Sequence, residues 1–290
     1  MFADDVQGEN GRAEHPEIIY IVVKYQEVMI MLGLALGSGS VRGYSHIPII
    51  QRLISENIEF DYIAGTSVGA IIGAYYSLYG ELDSLIYKVP SKSKREFLSL
   101  IDVNNHKKSL VKGQKLKKFF EDEFFKNATF KDLKVPMVIC ATDLNEKKPF
   151  FFDRGPLIDA IMASICLPGI FPPYKIGNRF FIDGGALNPV PSQILFEKGM
   201  QKVIAVNLNT FDNSVEKDDG MLNVLITTFG IMMNELAKKC LNENTYLLEP
   251  RFAYDFRDSL RVDKWKEYYK PGKKVIDENI DQIKTWLKKA

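Results

Sequence analysis

Phe60-Asp61-Tyr62-Ile63-Ala64-Gly65-Thr66-Ser67-Val68-Gly69-Ala70 decides how this chain is read. A short apolar run ends in a G-x-S-x-G turn, and a helical pattern follows at once. Gly65 and Gly69 flank the serine by two residues on each side. They let the backbone turn sharply and keep bulk away from the hydroxyl. Ser67 is lifted to the carboxyl end of a strand and the amino end of a helix, where the helix dipole favours developing negative charge. That makes Ser67 the candidate nucleophile.

Upstream, Val28 to Leu36 is a continuous apolar run, as suits a strand covered on both faces in a parallel sheet. Gly37-Ser38-Gly39-Ser40-Val41-Arg42-Gly43 follows, and then Ile47, Ile50, Leu53 and Ile54 recur at helical spacing. A glycine-rich loop at a helix start presents successive backbone N–H groups to an anion. Gly39 and Ser40 are the candidate donors to an oxyanion. Ser38, Arg42 and Gly43 complete the loop, with Arg42 shaping it or adding positive potential. A dinucleotide-binding loop is the competing account. The glycine spacing here only approaches that fingerprint, and Asp61 comes too early to serve as its acid.

Downstream, strands are expected at 136–142, 150–152, 179–182, 202–207 and 245–248. Helices are expected at 115–125, 157–164, 192–197, 221–241 and 273–288. Residues 80–113 show no clean period. Strands alternate with helices and no linker or repeat interrupts them, so one α/β domain over 28–290 is the expected architecture. Residues 1–27 read as a flexible or weakly ordered extension, because 1–15 are polar and lack the basic start and apolar core of a signal peptide. Lys24, Gln26 and Glu27 break the apolar stretch of 18–36, so no membrane span is expected.

Composition narrows the class. The chain has 290 residues, 46% of them apolar, which is enough to bury a sizeable core. A formal net charge of +1 argues against nucleic-acid binding. Cys140, Cys166 and Cys240 are far apart and odd in number, and form neither a metal cluster nor a disulfide framework. Reducing, cytoplasmic conditions fit this usage.

The three histidines decide the serine's partner. His15 lies in the polar tail and His106 in a lysine-rich stretch. His46 opens the helix after the glycine loop and reads as a surface or packing residue. A triad of the α/β-hydrolase type places its histidine last in the chain, and nothing after His106 can serve. A carboxylate that contacts the hydroxyl directly is the remaining option. Asp183 is the best placed, at the end of an expected strand and followed by Gly184-Gly185, although Asp-Gly-Gly also reads as a plain turn. In a parallel sheet Ser67 and Asp183 would share the carboxyl edge.

Taken in order, these elements resemble the patatin-like phospholipase family. Its loop, roughly G-G-G-x-R-G, aligns with Ser38 to Gly43, its G-x-S-x-G with Gly65 to Gly69, and its D-G-[GA] with Asp183 to Gly185. Ala141-Thr142-Asp143-Leu144, Phe152-Asp153-Arg154-Gly155-Pro156, Ala163 to Pro173 and Asn188-Pro189-Val190-Pro191 are similar too. The likeness is strong from Met29 to Asn209. It implies a three-layer α/β/α fold with a mainly parallel sheet, and a Ser–Asp dyad carried by Ser67 and Asp183. It also implies hydrolysis of phospholipid or lysophospholipid acyl esters through an acyl-enzyme, with no calcium or other cofactor. Ser38 and Ser40 replace two glycines of the family loop, and a serine at a positive-φ position would be strained. A catalytically silent lipid-binding protein on the same fold is the alternative.

Two surface expectations follow. Ile170-Phe171-Pro172-Pro173-Tyr174 and Phe150-Phe151-Phe152 are candidate walls for an acyl chain, with core packing preferred for Phe151 and Phe181. Lys107, Lys108, Lys112, Lys115, Lys117 and Lys118 read either as a peripheral dock for anionic headgroups or as a solvated face neutralised by Glu121, Asp122 and Glu123.

Overall fold

The structure is a computed structural model that describes residues 30–88, 113–210, 220–252 and 262–289. The expected extension and Lys107, Lys108 and Lys112 lie outside these residues. Eight strands form one sheet: β1 (Leu32–Leu36), β2 (Tyr62–Thr66), β3 (Met137–Asp143), β4 (Lys148–Phe152), β5 (Tyr174–Ile176), β6 (Arg179–Asp183), β7 (Lys202–Val206) and β8 (Thr245–Leu248). The helices described are α1 (His46–Ser55), α2 (Val68–Tyr79), α3 (Asp83–Lys88), α4 (Gln114–Phe120), α5 (Leu157–Ile165), α6 (Gln193–Glu197), α7 (Met221–Lys239) and α8 (Trp265–Lys288).

β3, β2, β1, β7 and β8 run parallel in that spatial order, and β1 is central. Its continuous apolar sequence follows from cover on both faces. Leu32, Leu34 and Leu36 enter the larger core with α1, α2, α5 and α8, while Ala35 enters a second core with α6 and Ala237 of α7. The three-layer α/β/α arrangement with a mainly parallel sheet is the expected one. Among the described residues no helix is long and apolar enough to cross a membrane.

The second half of the sheet departs from the parallel plan. β4 and β6 both run antiparallel to β3. β4 pairs with Ile139 to Asp143 of β3, so it occupies one edge. β2 pairs with Met137 to Cys140 and β6 with Ala141 to Asp143, so these two share the other edge. β2 climbs that edge while β6 descends it. Their ends meet where Cys140 pairs with Thr66 and the next residue, Ala141, pairs with Asp183. Asp183 stands at the carboxyl end of β2, where Ser67 lies, and what differs from the expectation is only the direction of its strand, which is antiparallel to β3. It ends a strand that points back toward β2.

Two helix boundaries also differ. The helix expected over 115–125 is α4 followed by a wider π-type turn at Glu121–Phe125, which turns Phe120, Phe124 and Phe125 all inward. The last helix starts at Trp265 rather than Lys273, running through Pro271 where a helix break is the usual reading of proline. Gly272, next to that proline, lies against α1's entry turn. A Cβ there would stand 2.3 Å from the Ser45 carbonyl oxygen. The Ser45 hydroxyl donates to the Tyr268 carbonyl, a further tie between the two segments.

Candidate active site

Ser67 occupies the turn from β2 to α2 at φ 56°, ψ −121°, a backbone conformation costing on the order of 1–3 kcal/mol for a residue with a Cβ. Packing holds it there. A Cβ on Gly69 would stand 2.1 Å from the Leu36 carbonyl oxygen, so α2 can start this close to the end of β1 only with glycine. The Ser67 N–H donates to Ser164 Oγ at 2.7 Å, and Ser164 donates onward to the Cys140 carbonyl at 2.6 Å. Ser164 is wholly buried in α5 and ties the turn to β3. Thr66 is anchored separately, its hydroxyl donating to the Asn188 carbonyl at 2.9 Å.

Asp183 meets the serine head on. The Ser67 hydroxyl donates to Asp183 Oδ2 at 2.6 Å, and the Gly185 N–H donates to Oδ1 at 2.8 Å. Both carboxylate oxygens are thus oriented. A Cβ on Gly184 would lie 2.4 Å from the Cys140 carbonyl, so the Asp-Gly-Gly turn is pressed against β3. Burial pushes the Asp183 carboxyl up to about 6, because the charged form loses its water; the hydrogen bonds from Ser67 and Gly185 partly offset this.

The glycine loop lies beside the same turn. Gly43 packs on Val68, the residue after the serine, with room for no side chain: a Cβ would sit 2.0 Å from Val68 Cγ2. Gly37 donates its N–H to the Val206 carbonyl and Ser38 to that of Pro189, fixing the start of the loop. Arg42 is buried, and its Nε donates to the Gly39 carbonyl at 3.0 Å while its Nη2 approaches Asn209 Oδ1 at 3.4 Å. Asn209 Nδ2 reaches Ser38 Oγ at 3.4 Å. A carbonyl held by the guanidinium turns the peptide that follows it. Ser40 has φ 53°, the positive value anticipated where the family loop has glycine.

His46 is fully buried, and its Nε2 lies 2.8 Å from the Gly37 carbonyl. A carbonyl accepts only, so Nε2 carries the proton. Burial lowers the ring's pKa to about 4, leaving it neutral. It braces the loop from behind, a packing role, and it is not a surface residue.

Ser164 and Asn209 went unassigned in the sequence, although Ser164 lies within a stretch similar to the family. A single polar residue inside an apolar helical pattern, or just past a strand, carries no periodic signal. The three cysteines are free thiols. Phe150, Phe152 and Phe181 pack on one another with ring centroids 4.7–5.3 Å apart, which is the core account of these aromatics. Tyr174 donates its hydroxyl to Asp159, which also pairs with Lys117 at 2.7 Å. Lys117 is thus neutralised by Asp159 of α5, a carboxylate outside the acidic run expected to do so.

A serine at a strained strand-to-helix turn, bonded to a buried carboxylate beside a glycine-rich loop, is the arrangement of a serine hydrolase. A profile of the patatin-like phospholipase family matches residues 34–196, more than half of the chain. The chain belongs to the patatin-like phospholipase family, a class of hydrolases. It is similar to an uncharacterized NTE family protein of Mycobacterium bovis, 34% identical over 187 residues, which are 64% of this chain and 51% of the relative. It is 28% identical over 189 residues to the neuropathy target esterase sws of Drosophila melanogaster, covering 63% of this chain and 13% of that protein. A protein named as a lysophospholipase in Cryptococcus neoformans is 28% identical over 192 residues, covering 65% and 12% respectively. The chain thus spans about half the length of the mycobacterial relative and a small part of the other two. Among solved structures, VipD from Legionella pneumophila aligns with 86% of this chain and 67% of its own at 12% identity and a TM-score of 0.45.

Proposed function

We propose that this chain is a lipid acyl-ester hydrolase working through a Ser67–Asp183 dyad, with residues 28–290 as its catalytic domain. The observation that carries the reading is the 2.6 Å hydrogen bond from Ser67 Oγ to a buried carboxylate. The Asp183 carboxylate accepts the hydroxyl proton as Ser67 attacks the ester carbonyl. The oxyanion forms beside the glycine loop, where the Gly39 and Ser40 N–H groups receive it; such donors typically contribute about 10²–10³-fold in rate. Asp183 then gives the proton to the departing alcohol, leaving an acyl-Ser67 ester. Water loses a proton to Asp183 as it attacks that ester, and Asp183 returns the proton to the departing Ser67 oxygen, which releases a fatty acid and restores the free serine and the carboxylate.

A carboxylate pushed up to about 6 is a stronger base than an exposed one, and it is still ionised at neutral pH. No third residue is required, because Gly185 orients Asp183 from the far side. The names of two relatives, a lysophospholipase and a neuropathy target esterase, favour phospholipid or lysophospholipid esters as substrates.

Labelling with a fluorophosphonate probe tests this reading. The wild-type chain is expected to label and Ser67→Ala not to. An unlabelled but folded wild type would leave a non-catalytic lipid-binding protein in its place.

A further inference from the structure

We infer that the outward face of α7 is a docking surface for a neutral, zwitterionic lipid bilayer, and that it brings the Ser67 edge of the sheet to the lipids. The inference rests on the lipid-hydrolase reading above and names the surface that serves it.

The position of α7 comes first. β7 and β8 are parallel, so the connecting helix returns from the carboxyl edge of the sheet, the edge that carries Ser67. The C-terminal part of α7 is seated. Ala237 is buried in the second core, and the Cys240 carbonyl accepts from the Ser192 hydroxyl. Asn234 accepts from Asn207, the residue just past β7. Met233 reaches the candidate site itself: its sulfur accepts from Ser38 Oγ at 3.7 Å, and a Cβ on Gly185 would stand 2.8 Å from it. The helix residues before Met233, Met221 to Met232, therefore run out past the end of β7, about 18 Å of helix at 1.5 Å per residue.

The chemistry of that overhang comes second. Met221 is 80% exposed, Ile231 58%, Met232 54% and Val224 40%. Met221, Val224, Thr228 and Ile231 fall at helical spacing on one face. No residue from Met221 to Asn234 is charged. A stretch of apolar side chains this exposed is disfavoured in water and marks a contact surface.

The surrounding charge selects the partner. Asp212, Glu216, Asp218 and Asp219 precede the helix in sequence, with Lys217 among them. Lys238, at its far end, pairs with Glu235 at 2.7 Å. Lys239 beside it is exposed, so beyond the paired Lys238 the helix offers an anionic surface one lysine, against the four acids and one lysine that precede it in sequence. A zwitterionic interface asks for apolar side chains and no net charge, and it continues directly into the edge where a lipid ester would be attacked.

Sedimentation of the chain with phosphatidylcholine vesicles tests the inference. The wild type is expected to bind, with a partition that changes less than about twofold between low salt and about 0.5 M salt, because screening does not weaken an apolar contact. Ile231→Glu combined with Met232→Glu is expected to reduce binding at least about tenfold. Both side chains are exposed, and a thermal melt checks the fold; Met221→Glu is the second variant should the pair unfold. The inference is overturned by a wild type that does not bind, by binding that collapses in salt, or by variants that bind equally well. A vesicle-free dimer dispersed by the same substitutions would also overturn it, assigning the face to a second copy of the chain. Fluorophosphonate labelling of Ser67 in vesicle-free buffer reads the hydrolase chemistry separately, so the two failures are distinguishable.

Discussion

Ser67 and Asp183 lie 116 positions apart in sequence and meet end to end, the serine hydroxyl 2.6 Å from the carboxylate, because β2 and β6 approach each other along one edge of β3. The contact belongs to the strand pairing as much as to the side chains. Cys140 and Ala141 are neighbours on β3, and their partners Thr66 and Asp183 are brought to adjacent rungs.

The buried carboxylate gives opposite predictions for activity and stability. Activity is expected to rise through about pH 6 as Asp183 ionises, and to level off above it. For stability the folded pKa is raised, so the burial penalty is absent below about pH 4, grows through pH 6, and is complete above it. Two units correspond to about 3 kcal/mol. Asp183→Asn should therefore abolish ester hydrolysis, yet melt at a higher temperature than the wild type at pH 8. That gain should vanish at pH 4. Hydrolysis rates and thermal melts across the range read both effects.

Ser164→Ala should weaken the turn without touching the chemistry groups. It leaves the Ser67 N–H without its acceptor and the Cys140 carbonyl without its donor, both buried. A buried group left unsatisfied costs about 1–3 kcal/mol. The expected result is a lower melting temperature and a kcat reduced about tenfold or more, read from urea melts and single-substrate kinetics.

Asn209→Ala tests the far support of the glycine loop. Arg42 and Ser38 both lose a partner, and the Gly39 carbonyl is held by a looser guanidinium. With the oxyanion donors misaimed, kcat should fall by about tenfold to a hundredfold. KM should stay within about threefold, since on the proposed mechanism the loop holds charge that appears only in the transition state. A change confined to KM would move this network out of catalysis.

Lys202→Met should separate stability from function. This buried lysine on β7 donates to the carbonyls of Trp286, Leu287 and Lys289 at the C-terminal end of α8, where the Trp286 carbonyl also accepts from the Lys289 N–H. Bonds to a charged donor contribute about 1.5–3 kcal/mol. A loss of about 2 kcal/mol in urea unfolding is expected, with hydrolysis unchanged in the folded variant.

Much of this molecule is legible in its sequence, and the gaps have physical reasons. The apolar run of β1 announces a strand covered on both faces. The glycines at 65 and 69 announce a tight turn, and the lack of a histidine after His106 turns attention to a carboxylate. Strand direction is another matter. Arg179 to Asp183 reads as a strand whichever way it runs, because side-chain alternation is the same in both directions. The antiparallel course of β6 is set by its long-range pairing with β3. The helix expected from Lys273 starts earlier, at Trp265, because it runs through Pro271 with the neighbouring Gly272 packed against Ser45. Ser164 and Asn209 emerge only when distant segments are folded together, since each acts through one hydrogen-bonding atom.

The head-to-head arrangement of β2 and β6 also bears on how the chain comes into being. During synthesis β2, its turn and β3 emerge well before β6. A chain at that stage would carry Ser67 with no base and an open half-edge of β3 waiting to be filled. The docking of β6 fills that half-edge and brings the carboxylate to the serine in one event. On the proposed dyad, the nucleophile is armed only once β6 has paired with β3, so a copy that stops short of that pairing is harmless to the esters around it.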